Sequence, residues 1–229
     1  IKPDYWALKI EHQNYIESLQ DLGLTVDVLQ PENSLPDSVF VEDPALTFRN
    51  GAILLHPGAL SRKEERAAIK SHLTKRFDQV CELKMGSVEG GDILRLNEEV
   101  LIGLSDRTNQ VGAIELQKLL LQFGYQSRVV ETPTGTLHFK SDCSALDEDT
   151  VFSTPRLANS DIFKNYNVIV TPEEEYGAAN SLRVNNKLLV PNGYPKTADL
   201  LSKHYDIEIV EITEVSKLDA GLSCMSLRW

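Results

Sequence analysis

Cysteine is scarce in this chain. Its 229 residues include three thiols, Cys81, Cys143 and Cys224, and no C-x-x-C spacing. An odd, scattered set argues against a disulfide framework and against a thiolate zinc site, and a reducing cytoplasm is the compartment it fits. No apolar run approaches the roughly 18 residues that a membrane-spanning helix needs, so no membrane partner is expected. Positive charge is also short: 23 Lys and Arg stand against 34 Asp and Glu, for a formal net charge of −11. The basic residues are scattered and form no stripe, which argues against nucleic acid as a partner. The opening Ile1-Lys2-Pro3-Asp4-Tyr5-Trp6 is neither a signal peptide nor a natural initiator, so a preceding segment is expected. The chain is 41% hydrophobic, enough to bury a sizeable core. A single domain over residues 1–229 is the expectation.

Periodicity supplies the organisation. Apolar residues at helical spacing predict helices over 4–21, from Ser61 to about Arg76, from Asn109 to Phe123, and over 195–204. The second is expected to open on a capping box, Ser61-Arg62-Lys63-Glu64. Between the helices lie hairpins, each opened by a polar or reactive residue: Asp43, Glu89, His138 and Asn180. Cys224 opens a fifth unit that runs out of chain. These openers are spaced 46, 49, 42 and 44 residues apart, a period near 45 that falls in the range of radial repeats. Repeats set around an axis would bring a carboxylate, an imidazole and a thiol to one place. Among the cysteines, Cys224 is the candidate nucleophile, because it follows the flexible Asp219-Ala220-Gly221 and is expected to start a strand.

Several motifs in order carry a resemblance that spans almost the whole chain. They are Leu35 to Asp43 (LPDSVFVED), His56 to Arg62 (HPGALSR), Glu89-Gly90-Gly91-Asp92, Ile102 to Asn109 (IGLSDRTN), Leu137 to Lys140 (LHFK), and Asp219 to Ser226. With these, the chain resembles the dimethylarginine dimethylaminohydrolases of the guanidino-modifying pentein superfamily. The resemblance implies an α/β fold, a five-bladed propeller of ββαβ repeats with pseudo-fivefold symmetry. The last blade is expected to be incomplete, since family members carry a strand and a lid ahead of the point where this sequence begins.

The resemblance also implies site residues. Cys224, His138 and Glu89 would be catalytic, with Cys224 attacking the guanidinium carbon, His138 moving protons and Glu89 orienting His138. Asp43 and Glu89 would hold the guanidinium nitrogens, and Glu42 and Asp37 would line the same acidic pocket. Phe40 would pack on the aliphatic stem, Arg62 and Arg107 would bind the α-carboxylate, and Asp37 with the Leu218 carbonyl would take the α-ammonium. No cofactor and no metal is called for. The expected partner is a small methylated arginine, and a homodimer is left open.

The resemblance leaves three functions to separate. Arginine deiminases and amidinotransferases share the Cys, His and Glu, but commonly place an acid two residues after the His. This sequence has Lys140 there. Losing one carboxylate clamp suits a methylated nitrogen, which has fewer N–H donors to offer. Hydrolysis of Nω-methylated arginines to citrulline and methylamines is therefore the leading expectation. An arginine deiminase-like hydrolase and a non-catalytic guanidino-binding protein are the alternatives.

Overall fold

A computed structural model describes residues 2–97 and 99–229. Its elements fall into two compact units: residues 31–140 with 224–229, and residues 1–30 with 141–223.

The first unit holds two sheets of one pattern. Strands β1 (Ala45–Phe48) and β2 (Gly51–Leu54) pair antiparallel; helix α1 (Tyr5–Asp21) precedes them in the chain and belongs to the other unit. Helix α2 (Glu65–Arg76) then leads to β3 (Val80–Glu82), which pairs parallel with β2. The second sheet repeats this with β4 (Ile93–Arg95) antiparallel to β5 (Val100–Leu104), helix α3 (Gln110–Gln122), and β6 (Ser127–Glu131) parallel to β5. The expected turn at Asn97-Glu98-Glu99 includes Glu98, which lies outside the described residues. Every residue of β1 and β2 is buried, as a strand covered on both faces should be. Leu46, Phe48, Ile53, Leu83, Val88, Ile93, Ile102, Leu116 and Leu120 form one core cluster in this unit. Each fully buried side chain of this kind contributes about 1.5–3 kcal/mol of hydrophobic free energy before entropic costs.

The second unit repeats the pattern twice. Strands β7 (Cys143–Ala145) and β8 (Thr150–Ser153) are antiparallel, the short helix α4 (Pro155–Ala158) follows, and β9 (Asn167–Val170) joins parallel to β8. Strands β10 (Leu182–Val184) and β11 (Lys187–Pro191) precede helix α5 (Pro195–Leu201) and β12 (Asp206–Val210), which pairs parallel with β11. The β10–β11 turn uses Asn185 at φ +52°, a left-handed conformation that Asn tolerates better than most residues. Leu146, Phe152, Leu188, Val190 and Leu201 make this unit's core cluster. Helix α1 is capped by Asp4, whose side chain accepts from the Ala7 N–H at 2.9 Å, and a last short helix, α6 (Thr213–Ser216), follows β12.

Two local expectations are corrected. Ser61 is not a helix cap: residues Leu60–Arg62 form a 3₁₀ turn, and α2 starts at Glu65 with no capping side-chain bond from Glu64. Arg62 is drawn inward to acidic partners in this turn, so the chain is not free to enter the helix at Ser61. Cys224 does not start a strand either. Leu222–Met225 is a 3₁₀ turn, and residues 226–229 form no strand among the described residues. The tail is fixed instead by single contacts within its unit. The Thr47 hydroxyl donates to the Arg228 carbonyl at 3.0 Å, and the Trp229 ring meets Phe77 edge-on at 5.2 Å.

Candidate active site

The hairpins deliver their chemistry from the turn that precedes them, not from the strands. Glu89 flanks the 3₁₀ turn Gly90–Asp92, directly ahead of β4. His138 immediately precedes the 3₁₀ turn Phe139–Ser141, ahead of β7. Asp43 lies in the turn at residues 41–44, two residues ahead of β1.

Within the first unit these turns bring three side chains together. His138 Nε2 lies 2.7 Å from Glu89 Oε2 and 3.9 Å from Asp43 Oδ1. All three residues are buried. The other Glu89 oxygen accepts from the Ala59 N–H at 3.1 Å and lies 3.6 Å from Arg107 Nη1. Asp43 Oδ1 accepts from the Gly91 N–H at 2.8 Å, and Oδ2 accepts from Arg62 Nη1 at 2.5 Å.

The two glycines of Glu89-Gly90-Gly91-Asp92 are explained by close approach. A Cβ on Gly90 would stand 2.0 Å from the Glu42 carbonyl oxygen, and one on Gly91 would stand 2.6 Å from the His138 ring. Only a residue without a Cβ lets these groups meet.

Charge follows from this packing. Burial acts to push the His138 imidazolium down, but the Glu89 hydrogen bond and the charges of Asp43, Asp92 and Glu89 outweigh it and hold the ring above its ordinary 6.5. Burial acts to raise Glu89, but the hydrogen bond and charge of His138, the Ala59 N–H and Arg107 bring it below its ordinary 4.5. Both shifts favour a protonated ring against an ionised carboxylate, a pair that carries a transferable proton. Asp43, Glu89 and His138 present ligand atoms within 4.8 Å of one another, close enough to consider a cation. Arg62 and Arg107 already supply positive charge to both carboxylates, and hydrogen bonds account for the cluster.

The remaining expected residues take varied positions. Arg62 is 6% exposed and donates to several protein acceptors. Its Nε donates to both Glu65 oxygens at 3.0 Å, and its Nη2 donates to Glu65 at 2.7 Å, the Phe40 carbonyl at 3.0 Å and the Asp37 carbonyl at 3.3 Å. Burial opposes its charge, yet Glu65 and Asp43 hold its pKa above the usual guanidinium value. Phe40 is buried, and Asp37 is half-buried. Glu42 is buried with its carboxylate paired to the Lys140 ammonium, and Arg228 Nη2 lies 3.6 Å from the same oxygen. The Glu42 N–H donates to the Cys224 carbonyl at 3.2 Å, which ties the thiol-bearing residue to the Phe40–Asp43 turn. Cys224 is half-buried, and all three cysteines are thiols. Leu218 belongs to the other unit, where its N–H donates to the Val215 carbonyl at 3.0 Å.

Sequence reasoning gave no role to several residues that hold this site. Glu65 was legible as an i,i+3 partner of Arg62. Thr108, whose hydroxyl accepts from the Glu89 N–H at 3.1 Å, and Ser105 carried no local signal.

Known proteins are similar to this chain in sequence and fold. A family model described as arginine deiminase matches residues 31–188. A dimethylarginine dimethylaminohydrolase of Pseudomonas aeruginosa is 36% identical over 100% of this chain and 91% of its own length. One from Streptomyces coelicolor is 33% identical over 99% of this chain and 88% of its own length. A solved structure of the Pseudomonas aeruginosa enzyme, a cysteine-to-serine variant complexed with citrulline, superposes with a TM-score of 0.96 at 35% identity, covering 100% of this chain and 90% of that one. The cyanobacterial arginine dihydrolase ArgZ shares the fold at 16% identity, with a TM-score of 0.89 for its product-bound N-terminal domain.

Proposed function

The chain belongs to the dimethylarginine dimethylaminohydrolase family, with the pentein α/β fold, and from that premise we propose that it hydrolyses Nω-methylated arginines to citrulline and dimethylamine or methylamine. The observation that carries the reading is the buried contact of His138 with Glu89 beside Asp43. A guanidinium is resonance-stabilised and cationic, so its hydrolysis needs an anionic cradle, a strong nucleophile and a proton donor for the leaving amine.

Asp43 and Glu89 hold the guanidinium nitrogens by charge-assisted hydrogen bonds. The Cys224 thiolate attacks the guanidinium carbon and gives a tetrahedral adduct. His138, kept protonated by its acidic neighbours, passes its proton to the amine nitrogen as the C–N bond breaks. A thiouronium remains on Cys224. Neutral His138 then takes a proton from water, whose oxygen bonds to the same carbon; the C–S bond breaks to return the thiolate, the remaining hydroxyl proton passes to solvent, and citrulline leaves. Arg107 and Arg62 receive the α-carboxylate, Asp37 the α-ammonium, and Phe40 the aliphatic stem. Glu42 lines the pocket with its charge offset by Lys140, which leaves Asp43 and Glu89 as the carboxylate clamps.

Residues 1–229 act as one domain in this reading, which the full-length superposition supports. A homodimer and a cytoplasmic location belong to the same proposal. Exposed Val111, Ile114 and Leu121 on α3 favour the first, and the three thiols favour the second. No helix among the described residues is long and apolar enough to cross a membrane.

The test is citrulline formation from asymmetric dimethylarginine. Turnover by the wild-type protein is expected, and Cys224→Ser should lower it by about 10³-fold or more while calorimetry still detects substrate binding. Equal turnover in Cys224→Ser, or a covalent adduct on Cys81 or Cys143, would remove the assignment. The arginine deiminase description of the matching family model favours a second reading. Faster release of ammonia from arginine than of dimethylamine from dimethylarginine would select it.

A further inference from the structure

We propose that Asp92 is the positioning residue of this site, holding the backbone beside both Glu89 and His138 with one buried carboxylate. The proposal rests on the reading of His138 as the proton carrier.

Asp92 is fully buried and accepts three hydrogen bonds. Oδ1 takes the N–H of Phe139, the residue after His138, at 2.8 Å. Oδ2 takes the hydroxyls of Thr108 at 2.6 Å and Ser105 at 2.7 Å. An ionised carboxylate only accepts, so each hydroxyl must turn its single proton toward it and leave its lone pairs facing away. Those lone pairs are in use. The Thr108 oxygen accepts from the Glu89 N–H at 3.1 Å. The Ser105 oxygen accepts from the N–H groups of Arg107 at 3.0 Å and Thr108 at 3.2 Å. One carboxylate thus orders the backbone at Glu89, at the residue next to His138, and at Arg107, which contacts Glu89 from the other side.

A neutral side chain of the same shape could fill this space, so the charge itself calls for a reason. Glu89 and Asp43 stand against the His138 ring and Asp92 adds its charge, while the cations Arg62 and Arg107 meet the other oxygens of Asp43 and Glu89. Asp92 adds a negative charge to the side of the balance that keeps the ring protonated. Its burial raises its own pKa above the ordinary carboxylate value, a cost offset in part by the charge of His138 and the bonds from Thr108, Ser105 and Phe139.

The experiment compares the wild-type protein with Asp92→Asn and Thr108→Val. It follows citrulline formation from asymmetric dimethylarginine between about pH 5 and 9, and the titration of His138 by NMR of histidine-labelled protein. Asp92→Asn should lower kcat by about 10-fold to 100-fold with KM changed less than about threefold. It should also move both the His138 titration and the matching limb of the kcat profile to lower pH. Thr108→Val removes a neutral hydroxyl, and should lower kcat without moving the titration. A purely structural Asp92 would leave the His138 titration in place, and that result, or kcat within about twofold in both variants, overturns the proposal. If the wild-type protein forms no citrulline, the hydrolase reading has failed, and the NMR titration alone still decides the role of Asp92. If Asp92→Asn does not fold, Thr108→Val and Ser105→Ala decide, and wild-type kcat in both overturns the proposal.

Discussion

A single glycine shows how closely this site is built. Gly91 carries no chemistry, yet its Cα faces the His138 ring at a distance that no Cβ could share. Its N–H also supplies one of the two hydrogen bonds to the Asp43 carboxylate. Gly91→Ala must therefore displace the imidazole from Glu89 or shift the Gly90–Asp92 turn. Overpacking of this kind costs about 1–3 kcal/mol. The substitution should lower kcat by about 10-fold or more, because His138 and Glu89 lose their 2.7 Å contact. Wild-type kcat and unchanged thermal stability in Gly91→Ala would show that the ring does not need this position. The neighbouring motif residues divide the work: Glu89 bonds the ring, Gly90 admits the Glu42 carbonyl, and Asp92 holds the backbone. Lys140 shows what residue identity alone leaves open. Its spacing from His138 was legible as a missing acid, but its pairing with buried Glu42 was not.

At the scale of elements, the short 3₁₀ turns matter more than the strands they precede. Strands β4, β7 and β10 supply buried apolar faces, while the turns ahead of them place the polar residues. The turn Leu222–Met225 is held within the second unit at its Ser223 position. Asn180 Oδ1 accepts from the Ser223 N–H at 2.9 Å, and Asn180 Nδ2 donates to the Ser223 hydroxyl at 3.2 Å. A Cβ on Gly221 would stand 2.5 Å from the Asn180 side chain, so the chain passes directly over it. Asn180→Ala removes both bonds and leaves a buried N–H without its acceptor, at a cost of about 1–3 kcal/mol. It should also lower kcat more than it raises KM, because Cys224 follows Ser223 directly. Calorimetric melting and steady-state kinetics check the two halves, and a stability loss with unchanged kcat would reduce Asn180 to a structural role. Asn180 was visible as the fourth member of the repeat, and its partner was not, because the repeat pattern says where a side chain begins and not what it meets.

For the whole molecule, the linkage between folding and pH follows from the Glu89–His138 pair. Glu89 is held below its ordinary 4.5, so its contribution to stability is present above that pH and is lost as pH falls through the lower folded value. His138 is held above its ordinary 6.5, so its contribution is full below that pH and is lost as pH rises through the higher folded value. Both are complete between pH 4.5 and 6.5. The melting temperature of the wild type should exceed that of His138→Gln most in this window, and the gap should narrow as pH rises beyond it. Thermal denaturation of the two proteins across pH measures this, and a gap that widens above neutrality would contradict the sign. The net charge of −11, counted with neutral histidines, differs between the two proteins only by the His138 proton itself.

Much was legible before any coordinates. The period near 45 located four hairpins and their polar openers, and the observed ββαβ pattern in four sheets follows it. Helix α3 runs from its Asn109 cap, with the side chain accepting from the Gly112 N–H, to Phe123 as read from the apolar stripe. Such features depend on neighbours within a few residues, and the sequence by itself determined them, together with the order of Asp43, Glu89, His138 and Cys224 along the chain. The tertiary structure alone decided the pairings: Glu89 with His138, Arg62 with Asp43, Lys140 with Glu42, and Asp92 with the Thr108 and Ser105 hydroxyls. It also decided that α2 begins at Glu65 and that Cys224 sits in a turn. The reason is physical. A buried polar group must find a partner or lose free energy, and which partner it finds depends on chain segments brought together from 13 to 98 residues away.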